Sequence, residues 1–128
     1  MIEYLEAHDV EKVATSVVDT LGLTHIDLSR IRFVRSKGSK SRSIIARIHG
    51  LSRLWRHTVE TRVTYVIEVL SEHYDRLPEE EREKTLIHEL LHVPKAFGGG
   101  LLAHRGHVTR RQVEMLYGVY RRAKQGIP

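Results

Sequence analysis

The 128-residue sequence contains no cysteine, which excludes disulfides, thiolate zinc sites, iron–sulfur clusters and a cysteine nucleophile. Any metal must therefore be held by nitrogen and oxygen ligands. No apolar run approaches the roughly 18 residues that a membrane span needs. Residues 1–12 lack the apolar core of a signal peptide and are acidic rather than basic. We therefore expect a cytoplasmic protein with no membrane partner.

Acidic residues are outnumbered by basic ones, 16 to 21, so the formal net charge is +5. The isoelectric point is about 9.7. A basic surface attracts polyanions through counterion release, which makes nucleic acid a possible partner. The same charges are equally typical of a solvated, arginine-rich surface. Charge alone does not choose between these two interpretations.

The length and periodicity predict one compact domain over residues 1–128 that begins with a helix at 9–21. Apolar residues recur there at helical spacing, namely Val10, Val13, Ala14, Val17, Val18 and Leu21. Asp9 is a plausible N-cap for this helix. Gly22 stands where a C′ glycine would end it.

Three segments in the middle of the chain are predicted to be strands: 31–34, 43–48 and 61–70. Residues 35–43 (RSKGSKSRS) form a flexible, basic, hairpin-like loop between the first two. The stretch 49–57 is ambiguous between a helical turn and an extension of the sheet. Trp55 within it is expected to anchor the core.

Two further helices are predicted in the C-terminal half. Pro78, followed by four acidic residues in the next five, begins a helix that runs to about Val93, before Pro94. Thr109 and Gln112 form a capping box for the last helix. Its apolar face comprises Val113, Leu116, Tyr117 and Tyr120. The fold class is therefore α+β, with a small sheet of about three strands.

The segment 85–94 (TLIHELLHVP) contains the candidate metal ligands and the candidate catalytic base. His88 and His92 lie four residues apart, so a helix projects them from one face. Two imidazoles placed in this way can reach one Zn²⁺ at about 2.0–2.1 Å. Glu89 is displaced around the helix by ~100°, where it can take a proton from water on the metal. This HExxH spacing predicts a zinc site with Glu89 as catalytic base.

A third metal ligand is expected after the glycine-rich turn at 98–100, because catalytic zinc usually has three protein ligands. Both His104 and His107 fit this position, and Glu114 on the last helix is a weaker alternative. The other histidines (His8, His25, His49, His57 and His73) show no ligand spacing and are expected at the surface or its boundary. Core packing is the expected role of Tyr117 and Tyr120, rather than electrophilic catalysis.

Residues 44–120, and most specifically 85–108, resemble a family of archaeal and phage metallopeptidases related to the SprT-like zincins. A YVIEV strand, an acidic helix start, HELLHVP, a glycine turn and a following histidine recur in that order. The resemblance implies a minimal zincin fold with a mixed sheet on the HExxH helix and flanking N- and C-terminal helices. It also implies that His88 and His92 are ligands, that Glu89 is the base, and that the third ligand is His104, with His107 as the alternate.

The predicted function is therefore that of a zinc-dependent metallopeptidase acting on a protein or peptide. SprT-like proteases often act on DNA-bound proteins, and basic residues here could contact nucleic acid: Lys37, Lys40, Arg42, Arg110, Arg111, Arg121 and Arg122. An extended peptide could add to strand 63–70 if that strand lies at the sheet edge.

Two alternative functions remain open. YbeY-like zinc endoribonucleases also use a histidine-rich helix, and the basic charge suits RNA, but they lack this glutamate as a rule. A non-catalytic, zinc-stabilised module that binds nucleic acid or protein would use His104 and His107 together in a closed site.

Overall fold

The computed structural model describes residues 1–127. The strands are β1 (Glu3–Glu6), β2 (Ile31–Lys37), β3 (Ala46–Gly50) and β4 (Tyr65–Leu70). The helices are α1 (His8–Leu21), α2 (Arg53–Thr58), α3 (Ser71–Tyr74), α4 (Glu79–Leu91), α5 (His104–His107) and α6 (Arg110–Lys124), with a 3₁₀ turn at Leu28–Arg30. The α+β class is confirmed, and within residues 1–127 the sheet has four strands rather than about three.

The strand order is β1-β2-β4-β3, with β2 and β4 parallel and the two outer pairs antiparallel. Strand β4 therefore has neighbours on both sides, and the condition that strand 63–70 lies at the sheet edge is not met. The edge strand beside β4 is β3. The basic segment 35–43 does not form a hairpin, because β2 and β3 are not neighbours in the sheet. Strand β4 lies between them, so the chain crosses the end of β4 on its way from β2 to β3.

Helices α1, α4 and α6 share one core with the sheet. The register pairs Ile31 with Tyr65 and Phe33 with Ile67, which places these side chains on one face, and each is less than a tenth exposed. The helices bury their apolar stripes in the same cluster, through Val10, Ala14 and Val17 of α1, Leu86, Ile87 and Leu90 of α4, and Val113, Tyr117 and Tyr120 of α6. Helix α4 is therefore packed against the sheet and against both α1 and α6.

The ends of the helices differ in part from the prediction. Gly22 ends α1 in the left-handed conformation, with φ of 64°, as predicted. Asp9 is not the N-cap: Ala7 holds that position, and the Asp9 carboxylate binds Arg35 instead. Pro78 is the N-cap of α4 rather than its first helical residue. The capping box of Thr109 and Gln112 is present at the start of α6.

Trp55 is 62% exposed, so the prediction that it anchors the core is wrong. The ambiguous stretch divides between the end of β3 and helix α2, which lies in the connection from β3 to β4. The large aromatic in the core nearby is Tyr65, which is fully buried. Its hydroxyl donates to the Gly100 carbonyl and accepts from the Gly99 amide.

The two tyrosines of α6 pack in the core, as expected. The Tyr117 hydroxyl donates to Glu83, and the Tyr120 hydroxyl shares a hydrogen bond with Ser16. No helix within residues 1–127 is both long enough and apolar enough to cross a membrane.

Candidate metal centre

Helix α4 presents His88 and His92 from its last turn. His88 lies inside the helix, and His92 is its C-cap, still in the right-handed helical conformation. Their ring centroids are 5.2 Å apart. The helix stops here because Pro94 follows and disfavours helical backbone in the residue before it. The HExxH residues therefore lie where the helix meets the next loop.

The loop after α4 folds back and brings a third histidine to the pair. Leu102 donates its amide to the His92 carbonyl, and its own carbonyl lies 2.7 Å from Nδ1 of the His92 ring. This two-bond link sets the position of His104, whose Nε2 lies 3.2 Å from Nε2 of His88. Within residues 1–127, the ligand nitrogens of His88, His92 and His104 all lie within 4.8 Å of one another.

Gly99 makes this loop closure possible. Its φ is +98°, a conformation that side-chain-bearing residues rarely adopt, and a Cβ there would collide with the Leu51 carbonyl oxygen. Gly50, at the end of β3, faces the Gly99 carbonyl just as closely. The backbone of the loop thus packs directly on the end of the edge strand.

The alternate third ligands are not at this centre. His107 is exposed and does not belong to the histidine group found in residues 1–127. Glu114 instead pairs with Lys84 at 3.1 Å. The remaining histidines lie elsewhere: His25, His49 and His73 hydrogen bond to Val93, Glu68 and Ser41, His8 pairs with Glu6, and His57 is exposed.

Glu89 is 6% exposed, and its carboxylate has no hydrogen-bond partner within residues 1–127. Burial raises its pKa to about 7. Burial, followed by repulsion from His92 and His104, lowers the pKa of His88 to about 4. His88 is therefore neutral near neutral pH, which is the form that binds metals.

The three histidines fit a divalent metal such as Zn²⁺. A neutral His92 that donates from Nδ1 to the Leu102 carbonyl leaves Nε2 as its acceptor, which is the usual second hydrogen bond of a metal-binding histidine. Three imidazoles, with no fourth candidate ligand grouped with them in residues 1–127, are typical of a zinc site that keeps a position for water. The donor set thus suits a catalytic rather than a closed site.

Two cavities lie side by side along β3. The smaller, of about 270 Å³, is bounded by the three histidines, Glu89, Leu101 and residues 46–48. The larger, of about 550 Å³, lies between residues 43–46 and the helices α4 and α6. Both are lined by Ala46, His88 and Glu89, so they form one cleft along the edge strand. We call this cleft the edge-strand cleft.

Sequence reasoning missed several residues of this cleft. Its walls include Arg110 and Val113 of α6, together with Thr85 of α4. Thr85 stands three residues before His88, on the same face of the helix, so the helical period could have identified it. The residues of α6 carried no such signal, because they reach the cleft only through the packing of α6 on α4.

Comparison with protein-family models gives a match. The model of the family described as "Putative phage metallopeptidase" matches residues 2–125. Searches of curated proteins and of solved structures found no match. Because the family model spans nearly the whole sequence, the chain belongs to this putative phage metallopeptidase family.

Proposed function

We propose that this protein is a zinc-dependent peptidase that hydrolyses peptide bonds in the edge-strand cleft. The observation that carries the proposal is the grouping of three histidines around one point, beside a buried carboxylate that no other group of residues 1–127 binds. Membership of a metallopeptidase family supports the same class of reaction. The identity of the metal, the catalytic step and the substrate are our proposals.

His88, His92 and His104 would hold the metal through their ring nitrogens. When bound, Zn²⁺ supplies a Lewis acid that polarises the scissile carbonyl and lowers the pKa of water towards ~7. The contacts between His92 and Leu102 keep one ring in the orientation that binding needs.

Glu89 acts as the proton carrier in this proposal. Its carboxylate lines both cavities of the cleft and has no competing hydrogen bond within residues 1–127. An oxygen of Glu89 accepts the proton of the attacking water and then delivers it to the nitrogen of the leaving amine. Burial protects this proton from exchange with bulk solvent during the step.

The substrate would bind as an extra strand along β3. Among the described residues, that strand pairs with β4 on one side only, so its other backbone edge is available to a peptide. Antiparallel pairing is slightly more stable than parallel pairing, and we assign it to the substrate. Its direction then runs from the Gly50 end of β3 to the Ala46 end. This replaces the predicted docking on strand 63–70, which is internal.

The Glu89→Gln variant tests the catalytic proposal. We expect it to bind one zinc per chain and to lose roughly a hundredfold or more of its turnover of casein. Glu114→Gln is the matched control, because Glu114 also lines the cleft but pairs with Lys84. Full turnover by Glu89→Gln would reject Glu89 as the base.

The two alternative functions predict different outcomes in the same assays. An endoribonuclease would cleave RNA, and not casein, in a chelator-sensitive manner. A closed structural site would need a fourth protein ligand, and the position of His107 outside the histidine group argues against one. Zinc binding by His107→Ala, together with loss of zinc from His104→Ala, would support the three-histidine site.

A further inference from the structure

Helix α2 and its C-cap residue Val59 expose three large apolar side chains. Leu54, Trp55 and Val59 are 72%, 62% and 53% exposed, respectively. Trp55 and Val59 are four residues apart and share a face of the helical turn, and Leu54 is adjacent. Single exposed apolar residues need no explanation, but neighbouring ones that include a tryptophan make this segment a candidate contact surface.

The same segment is basic. Arg53 is exposed and has no carboxylate within ion-pair distance in residues 1–127. Glu60 is the one acidic residue in the segment 53–62. An occupant of this surface therefore has to be complementary to positive charge as well as to apolar side chains. We call Arg53, Leu54, Trp55 and Val59 the α2 patch.

The α2 patch lies beyond one end of the edge-strand cleft. Strand β3 ends at Gly50, and α2 begins three residues later. Arg56 also donates to the Gly98 carbonyl, which ties α2 to the loop that carries His104. A strand added to β3 passes the histidines near Ile48 and would reach α2 after roughly three to five residues, at ~3.3 Å per residue.

We infer that the α2 patch is a second contact site for the polypeptide substrate, and that it selects an apolar residue accompanied by acidic ones. This inference rests on the proposed function, because it takes the occupant of the edge-strand cleft to be a peptide strand. With antiparallel pairing, the selected residues lie on the N-terminal side of the scissile bond, about three to five positions away. The exposed leucine and valine favour apolar side chains over nucleotide bases as the occupant.

Trp55 makes the inference directly measurable, because it is the only tryptophan of the chain. Glu89→Gln protein is titrated with a peptide of about a dozen residues, a length of ~40 Å when extended. Leucine and aspartate alternate in its N-terminal half, and the rest is serine and threonine. A second peptide of the same composition has the leucines and aspartates in its C-terminal half. We expect the first peptide to shift Trp55 emission to shorter wavelength and to bind roughly tenfold more tightly than the second.

Two pairs of variants separate the α2 patch from general surface effects. Leu54→Asn and Arg53→Glu should each weaken binding of the first peptide by roughly fivefold to tenfold. The controls are Val119→Asn and Arg122→Glu, on the exposed side of α6, and these should leave binding unchanged.

The outcomes also separate this inference from the proposed function. If wild-type protein cleaves casein but neither peptide alters Trp55 emission, the α2 patch is not a substrate site, although the peptidase proposal stands. If the peptides bind as expected but neither casein nor the peptides are cleaved, the catalytic proposal fails, and the α2 patch is still a peptide-binding site. A shift produced by single-stranded oligodeoxythymidylate and not by peptide would assign the patch to nucleic acid and overturn the inference.

Discussion

Two buried glutamates on opposite faces of the sheet have opposite surroundings. Glu68, on β4, is 3% exposed and accepts hydrogen bonds from Arg47 and His49. Burial raises its pKa, but these bonds outweigh burial and hold the pKa at about 2. Glu89 is 6% exposed and has no such partner in residues 1–127, and burial alone raises its pKa to about 7.

The contrast separates a structural carboxylate from a reactive one. Both glutamates lie beside a histidine, so residue type and burial alone do not distinguish them. The charge of Glu68 is paired with that of Arg47, and removing one partner of such a pair destabilises the fold. Glu89 has no compensating partner in the part of the chain that the structure describes, which costs stability and is typical of functional sites.

The largest expected difference between the two clusters is in metal binding. His92→Ala should weaken zinc binding at least roughly hundredfold, because it removes a proposed ligand. His49→Ala removes the histidine beside Glu68 and should leave zinc binding unchanged. Zinc content after dialysis, measured by X-ray fluorescence, checks both variants. Equal zinc content in His92→Ala and wild type would show that His92 is not a metal ligand.

The next largest effect concerns the stability of the sheet. Glu68→Gln should lower the free energy of unfolding by about 2–3 kcal/mol near neutral pH, because Arg47 loses a charged, buried partner. The exposed pair of Glu6 and Arg32 provides the control, and Glu6→Gln should cost about 0.5 kcal/mol or less. Urea unfolding of metal-free protein measures both changes. A loss in Glu68→Gln no larger than that in Glu6→Gln would show that the buried pair adds no stability.

The stabilising effect of Glu68 should also depend on pH. The pKa of Glu68 is about 2 in the folded protein, against an ordinary value of 4.5. At pH values between these two, the folded state therefore binds fewer protons than the unfolded state. The contribution is therefore complete above pH 4.5 and is lost as the pH falls towards 2. The difference in unfolding free energy between wild type and Glu68→Gln should shrink over that window. A difference that stays constant as the pH falls to about 2 would contradict the lowered pKa of Glu68.

The local parts of this structure could be predicted from the sequence, and the non-local parts could not. The spacing of His88 and His92 predicts their common face, because a helix fixes it within one turn. The sequence does not distinguish His104 from His107, since the difference arises from the bonds between His92 and Leu102. The relation to SprT-like zincins remains a resemblance.

The sheet shows the same limit. Strand β1 (EYLE) has all four side chains exposed, so no alternation of apolar and polar residues marks it as a strand. Strand β4 was recognisable from its β-branched residues, but its internal position depends on β2 and β3, which are distant in sequence. Trp55 is exposed because α2 projects from a connection rather than packing on the sheet, which composition cannot reveal.

The smallest expected effect is that of Glu89→Gln on the stability of metal-free protein. An amide of nearly the same shape replaces a buried carboxylate that has no partner among residues 1–127, so the variant loses no hydrogen bond described there and no longer buries a charge. We expect its free energy of unfolding near neutral pH to equal or exceed that of wild type, by up to about 1 kcal/mol. Urea unfolding in the presence of chelator measures this. Because Glu68→Gln is expected to change stability in the opposite direction, the two isosteric substitutions test the comparison within one fold. A loss of stability in Glu89→Gln as large as that in Glu68→Gln would mean that Glu89 has a structural partner and is not free to carry a proton.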